Sequence, residues 1–314
     1  MSGAEQLTGA AYWLPLICAG VVVLAVALYV VLDGFDLGIG ILFPFFPQEA
    51  DRDRMMNSVA PFWDGNETWL VLGGNGLFVA FPVAYAIIMP ALYVPLIIML
   101  LALVFRGVAF EFRWVAKPSH RMWDIAFAGG PFDWLTPFTL LCGVGLLLGY
   151  ALLGACWLVM KTTDELEQRC RKLATPLLAG LIATIVLVSI WTPLEYERVA
   201  ERWFSLPNLL YLSPVPLITA VLVVMCWRGI RRGHATTAFY SAVALFVVAF
   251  FGLVISMYPY LVPTAMTLWD AAASPESQTF LLIGTAVLVP FILGYTVFVY
   301  YTFRGKIRVG EGYH

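Results

Sequence analysis

The side chains of this protein that could do chemistry are carboxylates set in apolar sequence. Asp33 and Asp36 stand three residues apart in Asp33-Gly34-Phe35-Asp36-Leu37-Gly38-Ile39-Gly40, so on a helix they share a face. Gly34, Gly38 and Gly40 leave room for a second helix to approach. Two readings stay open for the pair: a helix-packing site with carboxylates bonded to loop amides, or part of a path for protons or cations. The second group is Trp63-Asp64-Gly65-Asn66-Glu67-Thr68-Trp69, running on to Gly73-Gly74-Asn75. Asp64 and Glu67 lie one turn apart on a helix. Asn75, eleven residues beyond Asp64, returns to nearly the same face after three turns and completes a polar stripe about 16 Å long. Carboxylates on one partly desolvated face hold protons more readily than exposed ones, which is what a proton relay requires. The plainer alternative is an interfacial cap held at headgroup level by Trp63 and Trp69. The stripe favours the relay.

Arg106, followed by Glu111 and Arg113, ends an apolar run. It is the natural counter-ion for Asp36 or Asp64; read as a plain anchor at a membrane edge, it needs no such partner. Asp124 and Asp270 each follow a tryptophan, Trp123 and Trp269, and helix capping accounts for either. The three histidines, His120, His234 and His314, all fall outside the apolar runs. No His pair is therefore available for a buried b-type haem, and no two-His-plus-carboxylate set for a metal. Walker A and G-x-S-x-G motifs are absent. Cys18, Cys142, Cys156, Cys170 and Cys226 form no C-x-x-C pair and read as small buried hydrophobes. Any redox chemistry that this chain serves belongs to a partner.

The elements that must position these groups are membrane helices. Of 314 residues, 61% are hydrophobic and 12% charged, with a mean hydropathy of +0.86. A soluble domain carries roughly 25% charged residues, so a soluble chain is excluded, as is a disordered one. A net charge of -2 offers no basic surplus to nucleic acid. Apolar runs long enough to cross a bilayer extend from Tyr12 to Leu32 and on to about Phe46, Val59 to Met89, Ala91 to Phe105, Pro137 to Met160, Ala174 to Trp191, Leu209 to Trp227, Thr237 to Met257 and Thr279 to Phe303. The expectation is an all-α polytopic membrane helical bundle, one integral membrane domain over 1–314, with eight readable spans. Residues 1–11 lack the basic segment of a removable signal.

Charge places the loops. Sixteen of the eighteen Lys and Arg residues fall at 52–54, 106–121, 161–172, 228–232 and 304–308. Arg198 and Arg202 sit among glutamates, and none precedes the first span. The positive-inside rule puts the five basic loops in the cytoplasm and the N-terminus outside. Eight spans cannot satisfy that rule, because a single readable span separates 106–121 from 161–172. A ninth crossing between Met122 and Pro137 would bring all five loops to one side, yet that stretch is shorter than the roughly 20 residues a span needs. Nine spans are expected, with a segment missing near Gly129-Gly130-Pro131; a naturally short form or a re-entrant turn are the alternatives.

Leu32-Asp33-Gly34-Phe35-Asp36-Leu37-Gly38, followed by Ser58-Val59-Ala60-Pro61-Phe62-Trp63-Asp64-Gly65-Asn66-Glu67-Thr68-Trp69-Leu70, closely resembles subunit II of the cytochrome bd-type quinol oxidases. The shorter, cyanide-insensitive branch is the nearer match. Phe105-Arg106-Gly107-Val108-Ala109-Phe110-Glu111-Phe112-Arg113, Met122-Trp123-Asp124, Phe132-Asp133-Trp134-Leu135-Thr136-Pro137-Phe138, Tyr258-Pro259 and Leu268-Trp269-Asp270-Ala271-Ala272 extend the resemblance over nearly the whole chain. The resemblance implies the haem-free subunit of a complex that oxidises quinol and reduces oxygen to water with protons drawn from the cytoplasm. The haems then lie in a haem-bearing subunit I against which this chain packs. The implied setting is the bacterial inner membrane, amid lipid and quinone, with the N-terminus periplasmic and the C-terminus cytoplasmic. The resemblance also admits one or more small single-span subunits as partners. Some relatives hold a structural quinone in this subunit, but the sequence marks no place for one.

The resemblance associates proton entry with Asp64. The polar groups read above add Glu67, Asp36, Asp33 and Asn75 as path candidates and Arg106 as their charge partner. Trp63, Gly65, Asn66, Trp69, Trp123 and Asp124 form the accompanying structural motif. On the residues alone, a proton- or cation-coupled secondary transporter with midplane carboxylates accounts for the same pattern, and a structural scaffold is a third reading.

Overall fold

The computed structural model describes residues 9–111, 135–262 and 265–307, and for 104–111 the backbone alone. Twelve helices carry these residues: α1 (Ala10–Leu42), α2 (Glu49–Val59), α3 (Trp63–Ala80), α4 (Pro82–Ala91), α5 (Tyr93–Glu111), α6 (Pro137–Lys161), α7 (Asp164–Glu195), α8 (Glu197–Phe204), α9 (Asn208–Leu212), α10 (Pro214–Arg232), α11 (Ala235–Met257) and α12 (Pro275–Thr302). One short antiparallel hairpin, β1 (Tyr260–Val262) and β2 (Met266–Thr267), precedes α12. The chain is an all-helical polytopic membrane protein. By length and composition six helical segments can cross a bilayer, seven if α4 and α5 count as one span bent by 83°.

The eight readable runs map onto this set with corrections. The expected run Val59 to Met89 is not one helix. It breaks at Phe81, whose backbone leaves the helical region (φ -138, ψ 59) ahead of Pro82, because a proline disfavours helical geometry in the residue before it. Its first part, α3, is only 18 residues long and contains Asp64, Glu67 and three glycines in Gly73-Gly74-Asn75-Gly76. It is too polar to count among the spanning helices. The Leu209 to Trp227 run is divided at Ser213 between α9 and α10. The stretch that would carry the ninth crossing, with Trp123 and Asp124, lies outside the described residues.

α1 is the hub. It packs on α3, α6, α11 and α12, while α6 packs on α7 and α10 on α11. At the α1–α6 crossing the backbones touch. A Cβ built on Gly38 would overlap the carbonyl oxygen of Tyr150, and one on Gly154 would stand 2.5 Å from the carbonyl carbon of Gly38. Gly34 faces the Tyr150 ring, but Gly40 has open space beside it and takes no part in the contact. Below the crossing, Phe35 stacks on Trp157 with ring centroids 4.3 Å apart, and Phe62 lies 4.4 Å from Tyr300. Cys18, Cys156, Cys170 and Cys226 are buried as expected, but Cys142 is exposed. It lies on the outward face of α6 with Leu140 and Val144; an apolar run in a membrane can turn residues to lipid as well as to protein.

Four of the five basic loops meet on one face. Arg54 donates to the Thr163 carbonyl at 3.0 Å, and Arg169 reaches Gln48 at 2.5 Å. Lys161 donates to the carbonyls of Phe303 and Gly305, and the Ile307 N–H returns to Lys161 at 2.8 Å. The Arg171 guanidinium lies against Gly233. The fifth loop, 106–121, is largely outside the described residues. On the opposite face, Trp269 donates to the Tyr12 carbonyl at 3.1 Å and Arg202 to that of Ile255 at 3.0 Å. The start of α1, the glutamate-rich loop and the hairpin gather there.

Candidate functional site

α3 presents two chemically different faces. Asn66, Trp69, Gly73, Gly76 and Ala80 are buried. Asp64 and Asn75 are exposed, and Glu67 is half-buried. The three-turn spacing thus does place Asp64 and Asn75 on one side, and Asn66, two residues from Asp64, points the other way. Asp64 lies in the first turn of α3, where the N-terminal end of the helix dipole favours a negative charge. Trp63 is half-buried and Gly65 lies against the Tyr295 ring. Trp69 is fully buried, so it is not the headgroup-level anchor that the capping alternative required.

The buried face of α3 meets the first carboxylate pair. Asp33 and Asp36 are both buried in α1. The Asn66 side-chain amide donates to Asp36 Oδ2 at 2.8 Å and to the Leu32 carbonyl at 3.0 Å. The Tyr300 hydroxyl donates to Asn66 Oδ1 at 3.2 Å. One amide therefore ties α1, α3 and α12 together with both its donors and its acceptor in use. One bonding partner of Asp36 is thus a side-chain amide from a neighbouring helix. Tyr300 was not among the expected residues; a lone tyrosine in an apolar run gives no local signal of such a bond. Asn66→Leu would remove all three bonds and withdraw a donor from a buried carboxylate, a loss of about 1–3 kcal/mol. The expected result is a lower thermal midpoint of the assembled complex. An unchanged midpoint would show that Asp36 finds another donor.

Arg106 lies on α5 with its side chain outside the described set, as do any bonds it makes to Asp36 or Asp64. Asp270 does not cap a helix: it accepts from the Thr267 N–H at 3.1 Å and the Thr267 hydroxyl at 2.5 Å, closing a tight turn. Among the described residues no group of His, Cys, Asp and Glu could hold a metal ion. A cavity of about 240 Å³ opens between α1, α3 and α12, lined among others by Val21, Leu24, Trp69, Leu72, Thr285 and Val289. The Trp69 indole N–H and the Thr285 hydroxyl are buried without a hydrogen-bond partner among the described residues.

Comparison with known proteins agrees with this architecture. A protein from Haemophilus influenzae described as probable cytochrome oxidase subunit 2 is 29% identical over 348 positions, covering 88% of this chain and 90% of the relative. The cytochrome bd-I ubiquinol oxidase subunit 2 of Escherichia coli is 29% identical over 347 positions, 89% of this chain and 91% of the relative. The cytochrome bd ubiquinol oxidase subunit 2 of Bacillus subtilis is 27% identical, over 89% and 93%. The first two alignments are longer than the 314-residue chain itself, so those relatives carry residues that this chain lacks. A chain in the structure of the bd oxidase from Geobacillus thermodenitrificans shares the fold, with a TM-score of 0.73 and 16% identity over 92% of this chain and 98% of that one. The model of the cytochrome bd terminal oxidase subunit II matches in two pieces, residues 14–132 and 128–303, which meet at Gly129-Gly130-Pro131. With nearly its whole length matched, the chain belongs to the cytochrome bd terminal oxidase subunit II family.

Proposed function

We propose that the chain is the haem-free subunit II of a terminal oxidase that couples quinol oxidation to reduction of oxygen to water, and that it helps bring protons to the oxygen-reducing site from the basic face. The observation that carries the proton role is the exposed stripe of α3. A polar group inside a membrane lines a water path or meets a partner, and Asp64 and Asn75 point away from their own bundle. The haem-bearing subunit I is the partner that covers them, and Asp64 stands at the junction, with Glu67 half-buried one turn on. Asp36 lies on the other side of α3, where the amide of Asn66 ties it to α3 and α12. An amide passes protons poorly, so the part of Asp36 is packing. The basic face is cytoplasmic by the positive-inside rule, which leaves the start of α1 periplasmic.

The haems belong to subunit I in this reading. The one histidine among the described residues, His234, sits at the N-cap of α11 on the basic face, not within a span. The residues around the 240 Å³ cavity suit a quinone head group: its carbonyls would take the unpartnered Trp69 N–H and Thr285 O–H, and its ring the apolar walls. The deciding experiment is a visible spectrum of the purified chain with whatever remains bound. Haem bands travelling with a second, histidine-bearing subunit are expected. A colourless chain that carries a solute gradient would make it a secondary transporter instead.

We infer further that residues of a span are missing from this sequence near Gly129-Gly130-Pro131. Arg54 and Thr163 fix the start of the α3 region and the end of α6 on the basic face. Ala80 bonds to Ala273, and Phe138 packs on Tyr196, on the opposite one. If α4 and α5 together cross once, Glu111 and Phe138 stand on opposite faces, and the sequence between them is shorter than a span with its loops needs. The intact mass of the protein from its source is expected to exceed 34.8 kDa by about 2 kDa or more, the mass of some 20 residues. A mass of 34.8 kDa would overturn the missing segment and leave a naturally short form or a re-entrant turn.

A further inference from the structure

Among the described residues of the basic face many cations are matched within the chain; Lys172 and Arg304 have no carboxylate partner, and a cluster of three more gathers at the end of α10. Arg54 is bonded to Thr163, Arg169 pairs with Glu165 at 2.6 Å, Arg171 pairs with Glu167, Lys306 reaches Glu167 at 3.5 Å, and Lys161 is held by backbone carbonyls. Arg228, Arg231 and Arg232, in the last turns of α10, are all exposed. Among the described residues they have no carboxylate partner, and Arg231 has instead the Trp227 ring, with its guanidinium carbon 5.5 Å from the centroid. Glu167, on the neighbouring α7, is already shared by Arg171 and Lys306.

The same face of α10 is apolar for two turns before it turns cationic. Leu217, Val221 and Val224 are 65%, 58% and 48% exposed, and with Arg228 and Arg231 they follow in steps of three and four, which is one stripe of a helix. The other side of α10, with Cys226, Gly229 and Ile230, is buried. Trp227 is 44% exposed beside the cations. The helix dipole and the positive-inside rule place cations and a tryptophan at this end of α10; neither requires three guanidiniums and an indole to gather over one apolar stripe. An acyl chain along the stripe and a phosphodiester among three guanidiniums would match both halves. Guanidinium forks bind phosphate oxygens bidentately, and a zwitterionic lipid, carrying its own ammonium, would satisfy them less well. We propose that the basic-face end of α10 is a binding site for an anionic glycerophospholipid, with Arg228, Arg231 and Arg232 on its phosphodiester and Leu217, Val221 and Val224 along its acyl chain.

The test uses the complete oxidase in nanodiscs of phosphatidylcholine. Brominated phosphatidylglycerol or brominated phosphatidylcholine is added at equal mole fraction, and tryptophan quenching is measured. Subtracting the signal of Trp227→Phe isolates the contribution of Trp227. Bromo-phosphatidylglycerol is expected to quench Trp227 roughly fivefold more effectively, the enrichment one basic residue gives at an anionic surface. The ratio should fall toward one in Arg228→Gln/Arg231→Gln/Arg232→Gln and stay well above one in the triple lysine variant, which keeps the charge. If the triple glutamine variant does not assemble, Arg228→Gln alone is expected to lower the ratio. Equal quenching by the two lipids in the unaltered complex would overturn the proposal. So would no quenching by either, which would mean that a protein covers α10.

Discussion

Asp64→Asn is expected to slow oxygen consumption by the assembled complex by about a hundredfold, the usual contribution of a positioned proton-transfer group, with haem content unchanged. Asparagine keeps the shape and the hydrogen-bonding reach of the side chain and removes its ability to take up and release a proton. The separation of function from folding is favourable here because Asp64 is exposed on its own subunit and the buried side of α3 is carried by Asn66, Trp69 and the glycines. Oxygen uptake with saturating quinol, set against haem absorbance per complex, measures the two effects apart. Wild-type turnover would remove Asp64 from the proton path. Loss of the complex from the membrane would instead make Asp64 a packing residue at the junction with subunit I. Asn75→Leu should act in the same direction and more weakly, since an amide at the far end of the stripe can orient water but does not exchange its proton.

The legibility of this fold from sequence followed the physics of each signal. Helices appeared because a membrane demands runs of apolar residues, and the shared face of the basic loops appeared because charge sets topology; Arg54, Lys161, Arg169 and Lys306 do meet there. The break at Phe81 was marked by Pro82, yet the apolar run on both sides concealed it. What could not be read was which face of α3 enters the bundle. In a soluble protein hydropathy separates inside from outside, but in a membrane helix lipid-facing and core-facing residues are equally apolar. The polar residues then divide by partner: Asn66 to Asp36 within the chain, Asp64 away from it. Spacing alone does not say which of them faces in. Tyr300 escaped for the same reason, because its hydroxyl finds a partner 234 positions away in sequence.

Glycine replacements in α1 should have sharply graded effects, and the steepest should abolish assembly. Alanine is a better helix former than glycine by about 1 kcal/mol, so any loss must come from contacts. At Gly40 nothing lies within 4 Å of the added carbon, and Gly40→Ala is expected to leave the complex level unchanged or slightly raised. At Gly34 the added carbon would come 2.9 Å from Cε1 of Tyr150. A ring can shift by a few tenths of an ångström, so Gly34→Ala is expected to cost about 1–3 kcal/mol, as overpacked cores do, and to lower the thermal midpoint. At Gly38 the obstacle is the backbone of α6, the carbonyl of Tyr150 and the N–H of Gly154. No rotamer relieves that overlap, and separating the two helices would also undo the stacking of Phe35 on Trp157 just beyond the crossing. Gly38→Ala and Gly154→Ala should therefore each remove most of the complex from the membrane, read as haem absorbance and as chain abundance by immunoblot. Association of membrane helices draws on such close approach because lipid leaves little hydrophobic drive for it. Normal levels of a Gly38→Ala complex would mean that α1 and α6 do not touch at this crossing. Equal losses at Gly34, Gly38 and Gly40 would mean that the damage comes from something other than the contact with α6.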